Sequence, residues 1–140
     1  MSKGNTFEND ILKLIFNATT INDLAENDTS SPATVLTVAL HTGDPGEAGD
    51  QTTNECAYTS YARVSVNRNA GGWTVTNNSV SPAAAITFPA CTGGTETVTH
   101  FSVGTGVSNK LLYSGTVTPN IAVSSGVTPQ LTTASAITED

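Results

Sequence analysis

The apolar residues change their spacing along the chain near residue 32. Before that point they recur at the spacing of one helix face, and they are Phe7, Ile11, Leu14 and Ile15. This spacing predicts a helix over residues 6–17, with Asn5 as its N-cap and Glu8 completing a capping box. Because a helix of this length is marginal on its own, it must pack either on its own domain or on a neighbouring subunit.

From residue 32 onward, apolar and polar residues alternate, which is typical of half-buried β-strands. The alternating runs cover residues 36–40, 62–66, 73–76, 79–81, 84–88, 101–103 and 111–117. The pair Asn77-Asn78 favours a tight hairpin turn, and the resulting register places Val75 opposite Val80. Turn signals recur roughly every 8–12 residues, as they do in antiparallel sandwiches and barrels.

These patterns predict an all-β fold, an antiparallel β-sandwich of jelly-roll-like topology with a short N-terminal α-helix. No long helical crossover interrupts the strands, so a parallel sheet is not expected. The predicted organisation is an N-terminal helix or arm over residues 1–31, followed by a β-sandwich domain over residues 32–140.

The charge of the chain limits its partners. Only 12% of the 140 residues are charged, and 12 acids against 5 bases give a formal net charge of −7. Five scattered bases cannot form the basic stripe that nucleic acid requires, nor a polybasic membrane surface. Between residues 57 and 138 the only acid is Glu96, so the acidity belongs mainly to the first part of the chain. We therefore expect neither nucleic acid nor a membrane as a partner. The expected partner is a protein whose contact surface is neutral to basic.

Catalytic candidates are few. His41 and His100 are the best bases, but alternation places both on the polar faces of their strands, which predicts surface histidines. No Ser lies in a G-x-S-x-G motif and no glycine-rich loop matches a phosphate site, so the chain is not expected to be an enzyme or to bind a cofactor. Cys56 and Cys91 lack the spacing of a zinc site, and in a chain made in the cytosol we expect reduced thiols.

The long loop over residues 42–58 carries the densest group of acids. Asp44, Glu47 and Asp50 recur at three-residue spacing, with Glu55 nearby, and could gather around Ca²⁺. The spacing is not that of an EF-hand, so a solvated turn is favoured over a metal site. A glycine-rich loop of this length could also act as a contact arm.

Three other side chains are candidates for specific contacts. Arg63 and Arg68 are the only arginines, and in a weakly charged chain we expect them to pair with acids. Trp73 could anchor an interface, although packing in the core is the favoured interpretation.

Several segments together resemble a family of small virion proteins of tailed bacteriophages. They are residues 38–50, 53–55, 61–64, 72–73, 83–89, 96–102, 111–115 and 127–129, and the resemblance spans residues 35–138. Members of this family are often labelled tail-fibre-like. The chain looks most like the capsid decoration, or cement, proteins of short-tailed phages, and this resemblance implies a jelly roll that sits as a homodimer on the outer shell. It brings no catalytic motif with it.

The expected function is therefore that of a virion structural protein. It would bind the outer surface of the phage head, clamp neighbouring major capsid subunits, and be made in the cytoplasm of the host bacterium. The residues expected at the partner interface are Phe7, Ile11, Leu12 and Phe16 of the helix, with Asp44, Glu47 and Asp50 of the loop.

Two alternatives stay open at this point. The chain could be a tail-fibre or receptor-binding module, a trimer whose groove is lined by Tyr58, Tyr61 and Trp73 and recognises a glycan. A small enzyme is the third hypothesis, and it requires His41 or His100 to approach an Asp or a Ser.

Overall fold

The computed structural model describes residues 3–21, 24–27 and 30–139, which form one helix and nine strands. The helix is α1 (Asn5–Asn17). The strands are β1 (Val35–His41), β2 (Val64–Asn67), β3 (Trp73–Thr76), β4 (Ser79–Pro82), β5 (Ile86–Thr87), β6 (Glu96–Gly104), β7 (Leu111–Val123), β8 (Gln130–Leu131) and β9 (Ile137–Thr138). They form antiparallel sheets of order β2-β1-β6-β7, β3-β4-β9 and β5-β8. The predicted fold class is confirmed: the chain is mostly β, with one short N-terminal helix, consistent with an all-β sandwich.

The described residues belong to two compact units, each built from separate stretches of chain. The first unit comprises Met1–Val35, Asn67–Ala85 and Leu131–Asp140, and it holds α1, β3, β4 and β9. The second unit comprises Leu36–Val66 and Ile86–Gln130, and its main element is the sheet of β1, β6 and β7. The predicted domain boundary between residues 31 and 32 stays a prediction.

In the first unit, α1 packs on the β3–β4 hairpin. The hairpin has the predicted register, with Val75 opposite Val80 and Asn77 at a φ of 54° in the turn. Trp73 is buried, and its ring lies edge-on to Phe16 with 4.9 Å between the ring centroids. The helix therefore packs on its own chain, which decides between the two possibilities left open by the sequence.

The start of α1 differs from the sequence expectation, whereas its last residue, Asn17, agrees with it. The N-cap is Gly4 and not Asn5, and no side chain caps the helix, so the predicted capping box is wrong. At the other end Ala18 adopts the left-handed conformation, with a φ of 54°. The last carbonyls lack partners within the helix, and Arg68 binds two of them: its Nε donates to the oxygen of Ile15 at 2.6 Å, and its Nη2 donates to the oxygen of Leu14.

In the second unit, β1 lies beside β6 with both of its faces buried. The pairs Val38–Val103 and Leu40–Phe101 put large apolar side chains on one face. The opposite face carries smaller or polar residues, including the pairs Ala39–Ser102 and His41–His100. This polar face determines how the long loop after β1 is held.

Candidate functional site

The loop over residues 42–58 is fixed to the polar face of β1 and β6 by Gln51. This glutamine has no exposed surface. Its Nε2 donates to the backbone oxygen of Thr37 at 3.0 Å, and its Oε1 accepts from the hydroxyl of Thr37 at 2.8 Å. A Cβ atom on Gly104 would overlap the Gln51 side chain and the carbonyl oxygen of Lys110, so only glycine fits there.

His41 lies under the same loop, with no exposed surface, and the prediction of a surface histidine is wrong. Its Nδ1 faces the backbone oxygen of Thr53 at 2.9 Å, so Nδ1 carries the proton of the neutral ring. Its Nε2 then accepts from the hydroxyl of Ser102 at 2.8 Å, and Ser102 also accepts from Gln51. Alternation correctly separated the two faces of β1, but the loop covers the polar face and removes it from water.

A serine beside a histidine raises the question of catalysis. The third group of this cluster is a carbonyl oxygen rather than a carboxylate, so it does not stabilise an imidazolium as an acid would. Burial lowers the pKa of His41 below its usual 6.5, and both His41 and Ser102 lack exposed surface. The arrangement satisfies buried polar groups, and the hydroxyl has no exposed surface.

A second polar cluster ties the end of the loop to β2. The guanidinium of Arg63 binds the carboxylate of Glu55 through two parallel hydrogen bonds, Nε to Oε1 at 2.7 Å and Nη2 to Oε2 at 2.8 Å. Its Nη1 donates to Asn109 at 2.8 Å, and the hydroxyl of Tyr61 donates to Glu55 at 3.0 Å. The hydrogen bonds and the charge of Glu55 raise the pKa of Arg63, and this arginine pairs with an acid, as the sequence predicts.

The other arginine does not follow that prediction. Arg68 is bound by the carbonyl oxygens at the end of α1, by the side chain of Asn27 and by the carbonyl oxygen of Ala33. Neutral oxygens replace the expected acid because the end of a helix carries partial negative charge.

Glu96 has a structural role beside a buried thiol. Its carboxylate accepts from the backbone N–H groups of Ala57 and Tyr58 at 3.0 and 3.1 Å. Burial, together with the negative charge of Glu96, raises the pKa of the Cys56 thiol to about 12. Cys56 and Cys91 are both buried and are not joined in a disulfide, and their reduced state stays a prediction.

The three loop acids predicted at a partner interface differ in their exposure to solvent. Asp44 and Glu47 are exposed, while Asp50 is half-buried and accepts from the N–H and the hydroxyl of Thr52. These bonds lower the pKa of the Asp50 carboxyl. Among the described residues, no group of three or more His, Cys, Asp or Glu side chains is placed to hold a metal ion.

The four helix residues of the same prediction divide between surface and interior. Leu12 and Phe16 have no exposed surface, because they form the core of the first unit. Phe7 is 38% exposed and Ile11 is half-buried, so these two retain surface for a partner. The helix residues and the loop acids belong to different units, and their common role at an interface stays a prediction.

The aromatic groove of the receptor-binding hypothesis is not formed by the predicted residues. Trp73 is 2% exposed and Tyr58 is 3% exposed, and the Tyr58 hydroxyl donates to the carbonyl oxygen of Pro89. Tyr61 is half-buried, and its hydroxyl accepts from the N–H of Leu40. Trp73 packs against Phe16 of the helix, and the Tyr61 ring lies 5.3 Å from that of Tyr58 and 6.4 Å from that of Phe88, measured between centroids.

The first unit instead carries a polar groove that the sequence did not indicate. It has a volume of about 730 Å³ and lies between the start of α1 and the turn of the β3–β4 hairpin. Its lining residues include Asn5, Asn9, Asn77, Asn78, Glu8 and Lys13. The helix period could place Asn5, Glu8 and Asn9 together, but the opposite wall comes from residues about 70 positions later.

Both polar clusters of the second unit hold a loop in place. The sequence profile of the family described as "Podophage GP4 fiber I protein gp80" matches residues 3–138, and the chain therefore belongs to this family. It is a family of structural proteins of the phage virion and not a family of enzymes. The resemblance to phage virion proteins is confirmed at this level.

No curated protein matched the chain. In the described part of the chain, no helix combines the length and the apolar character that crossing a membrane would require.

Proposed function

We propose that this protein is a non-enzymatic building block on the outside of a phage virion, and that it acts by binding other virion proteins. The match of the family profile over residues 3–138 carries this proposal. The polar clusters of the second unit support it, because they stabilise a loop instead of exposing reactive groups. A binding role needs a rigid surface, and these clusters provide one.

A fibre is the position on the particle that the family description favours. The profile is named for a fibre protein of a short-tailed phage, and membership of that family supports a fibre component here. In this role the chain would repeat along a fibre or join the fibre to the virion.

Capsid decoration is the second candidate, and the sequence resemblance to cement proteins favours it. In this role the chain would bind the major capsid protein on the outer surface of the head and hold neighbouring subunits together. The net charge of −7 supports a place outside the shell, because DNA phosphates repel an acidic protein from the interior.

Self-association as a homodimer is part of the proposal for either position. β7 has 13 residues without a single charge and is the last strand of its sheet. Long uncharged edge strands favour pairing with another chain, and a two-fold axis would bring two copies of β7 together antiparallel.

Light scattering on the purified protein tests the dimer. Replacing the exposed Ser114 and Thr116 of β7 by Lys should convert a dimer into a monomer, since like charges would face each other across the axis. The matched control replaces the exposed Thr74 and Thr76 of β3, the edge strand of another sheet, and should leave the dimer intact. A monomeric wild type, or a double-lysine variant of β7 that remains dimeric, would contradict this interface.

Gold labelling of intact particles tests the position. Antibody against the protein should label appendages near the tail if it is a fibre component, and the faces of the head if it is a decoration protein. Purified heads without tails should bind added protein only in the second case. Particles that carry no label at all would refute the virion role.

A further inference from the structure

We propose that the polar groove of the first unit is a binding site for a neutral saccharide. The groove is lined by side-chain amides, one hydroxyl, one carboxylate and one ammonium group, and its volume of about 730 Å³ is that of a small-molecule site. The inference concerns this unit alone, and it holds whether the chain belongs to a fibre or to the head.

Glu8 is the residue that points to a ligand. It lines the groove, yet only 5% of its surface is exposed, and acidic residues are seldom buried to this degree without a partner. Over residues 3–21, 24–27 and 30–139, no hydrogen bond or ion pair to its carboxylate is found. A carboxylate in this position accepts two hydrogen bonds readily, and adjacent hydroxyl groups of a sugar ring supply them.

The opposite wall is held in place by hydrogen bonds that leave acceptors available. Nδ2 of Asn9 donates to the backbone oxygen of Asn77 at 2.8 Å, and Nδ2 of Asn78 donates to the backbone oxygen of Glu139 at 3.2 Å. Each bond uses the amide nitrogen, so the Oδ1 atoms of Asn9 and Asn78 remain as acceptors. Lys13 adds donors to the same groove.

This set of groups fits a saccharide better than other small ligands. Hydroxyl groups both donate and accept, which matches a mixture of amides, carboxylate and ammonium. The charges of Glu8 and Lys13 oppose each other, so the groove favours neither an anion nor a cation. Among the described residues, the lining includes no large apolar side chain, which a lipid or the side chain of a peptide would need.

Nuclear magnetic resonance of the isotope-labelled full chain provides the test. The probes are glucose, galactose, rhamnose and N-acetylglucosamine, with trialanine and inorganic phosphate as competing chemistries. We expect at least one sugar to shift the backbone amide signals of residues 5–13 and 77–78, with weak affinity because the described lining residues supply no aromatic ring for stacking. The Glu8→Gln variant should bind that sugar about tenfold more weakly, since it loses a charged acceptor.

The matched control is Asp10→Asn, an equivalent change on the same helix outside the groove lining. It should leave the affinity unchanged, and circular dichroism of both variants should match that of the wild type. The proposal is overturned if no sugar shifts these signals, if the peptide or phosphate shifts them while the sugars do not, or if Glu8→Gln binds as the wild type does. These outcomes are independent of where the protein sits on the virion.

Discussion

Nε2 of His41 lies 2.8 Å from Oγ of Ser102, and neither side chain has exposed surface. The two residues belong to neighbouring strands, and the loop that follows β1 covers them both. Because Nδ1 of His41 is bound to a carbonyl oxygen, the ring must accept from Ser102 in its neutral form. The stability of this face therefore depends on the protonation of one imidazole.

The first prediction concerns pH. Burial lowers the pKa of folded His41 below 6.5, against the effects of Thr53 and Glu55, while Arg63 and His100 add to the lowering. Below about pH 6.5 the unfolded chain takes up a proton that the folded chain does not. The free energy of unfolding should therefore be highest above that pH and fall as the solution is acidified, by up to about 1.4 kcal/mol per pH unit.

Denaturant unfolding between about pH 7.5 and about pH 5.5 measures this dependence. His41→Gln should be less stable at every pH but should lose the histidine contribution to the slope. His100→Gln is the control, because that ring is half-buried, and the slope should persist. A wild-type stability that rises on acidification would contradict the assignment.

The second prediction concerns the Glu55–Arg63 pair. Glu55→Ala removes both hydrogen bonds of Arg63 to the carboxylate and the acceptor of the Tyr61 hydroxyl, so it should destabilise the protein by about 2 kcal/mol. Thermal or urea unfolding measures the loss. Glu47→Ala removes an exposed acid from the same loop and should change stability by less than about 0.5 kcal/mol. Equal effects of the two variants would show that the pair does not hold the loop.

The third prediction concerns the end of α1. Ala18 adopts a φ of 54°, which glycine tolerates better than alanine. Ala18→Gly should therefore raise the free energy of unfolding by about 0.5 kcal/mol, although glycine usually lowers it. Ala84→Gly, at an exposed position without positive φ, should lower it by a similar amount. A loss of stability in Ala18→Gly would indicate a different helix end.

The fourth prediction concerns the thiols. Cys56 is 3% exposed with a pKa of about 12, and Cys91 is 1% exposed, so neither should react with a thiol reagent in the folded protein. Colorimetric titration should detect two thiols per chain once guanidinium unfolds the protein. Detection of none after unfolding would reveal a disulfide, and fast reaction before unfolding would show an open thiol.

The local pattern of apolar and polar residues was sufficient to predict the structure wherever residues close in sequence determine it. The helix was predicted within one residue of its observed start, and the Val75–Val80 register followed from the turn chemistry of Asn77. The burial of Trp73 was also anticipated. In each case the interacting residues are close in sequence or share one periodicity.

Prediction failed where one segment covers or binds another that is distant in sequence. His41 is buried because a loop folds back over its face, and alternation carries no information about that cover. Arg68 binds helix carbonyls more than 50 positions earlier. The groove has walls from residues 5–13 and 77–78, so no single stretch of sequence shows it.

The division of the chain into interleaved units bears on how it folds during synthesis. The second unit ends at Gln130, so all its residues leave the ribosome before the last strand does. The first unit is complete only when β9 pairs with β4, the strand that also contacts the helix. Leu12 and Phe16 of the helix stay uncovered until the β3–β4 hairpin, on which the helix packs, has been synthesised, and the nascent chain is prone to aggregation during that interval.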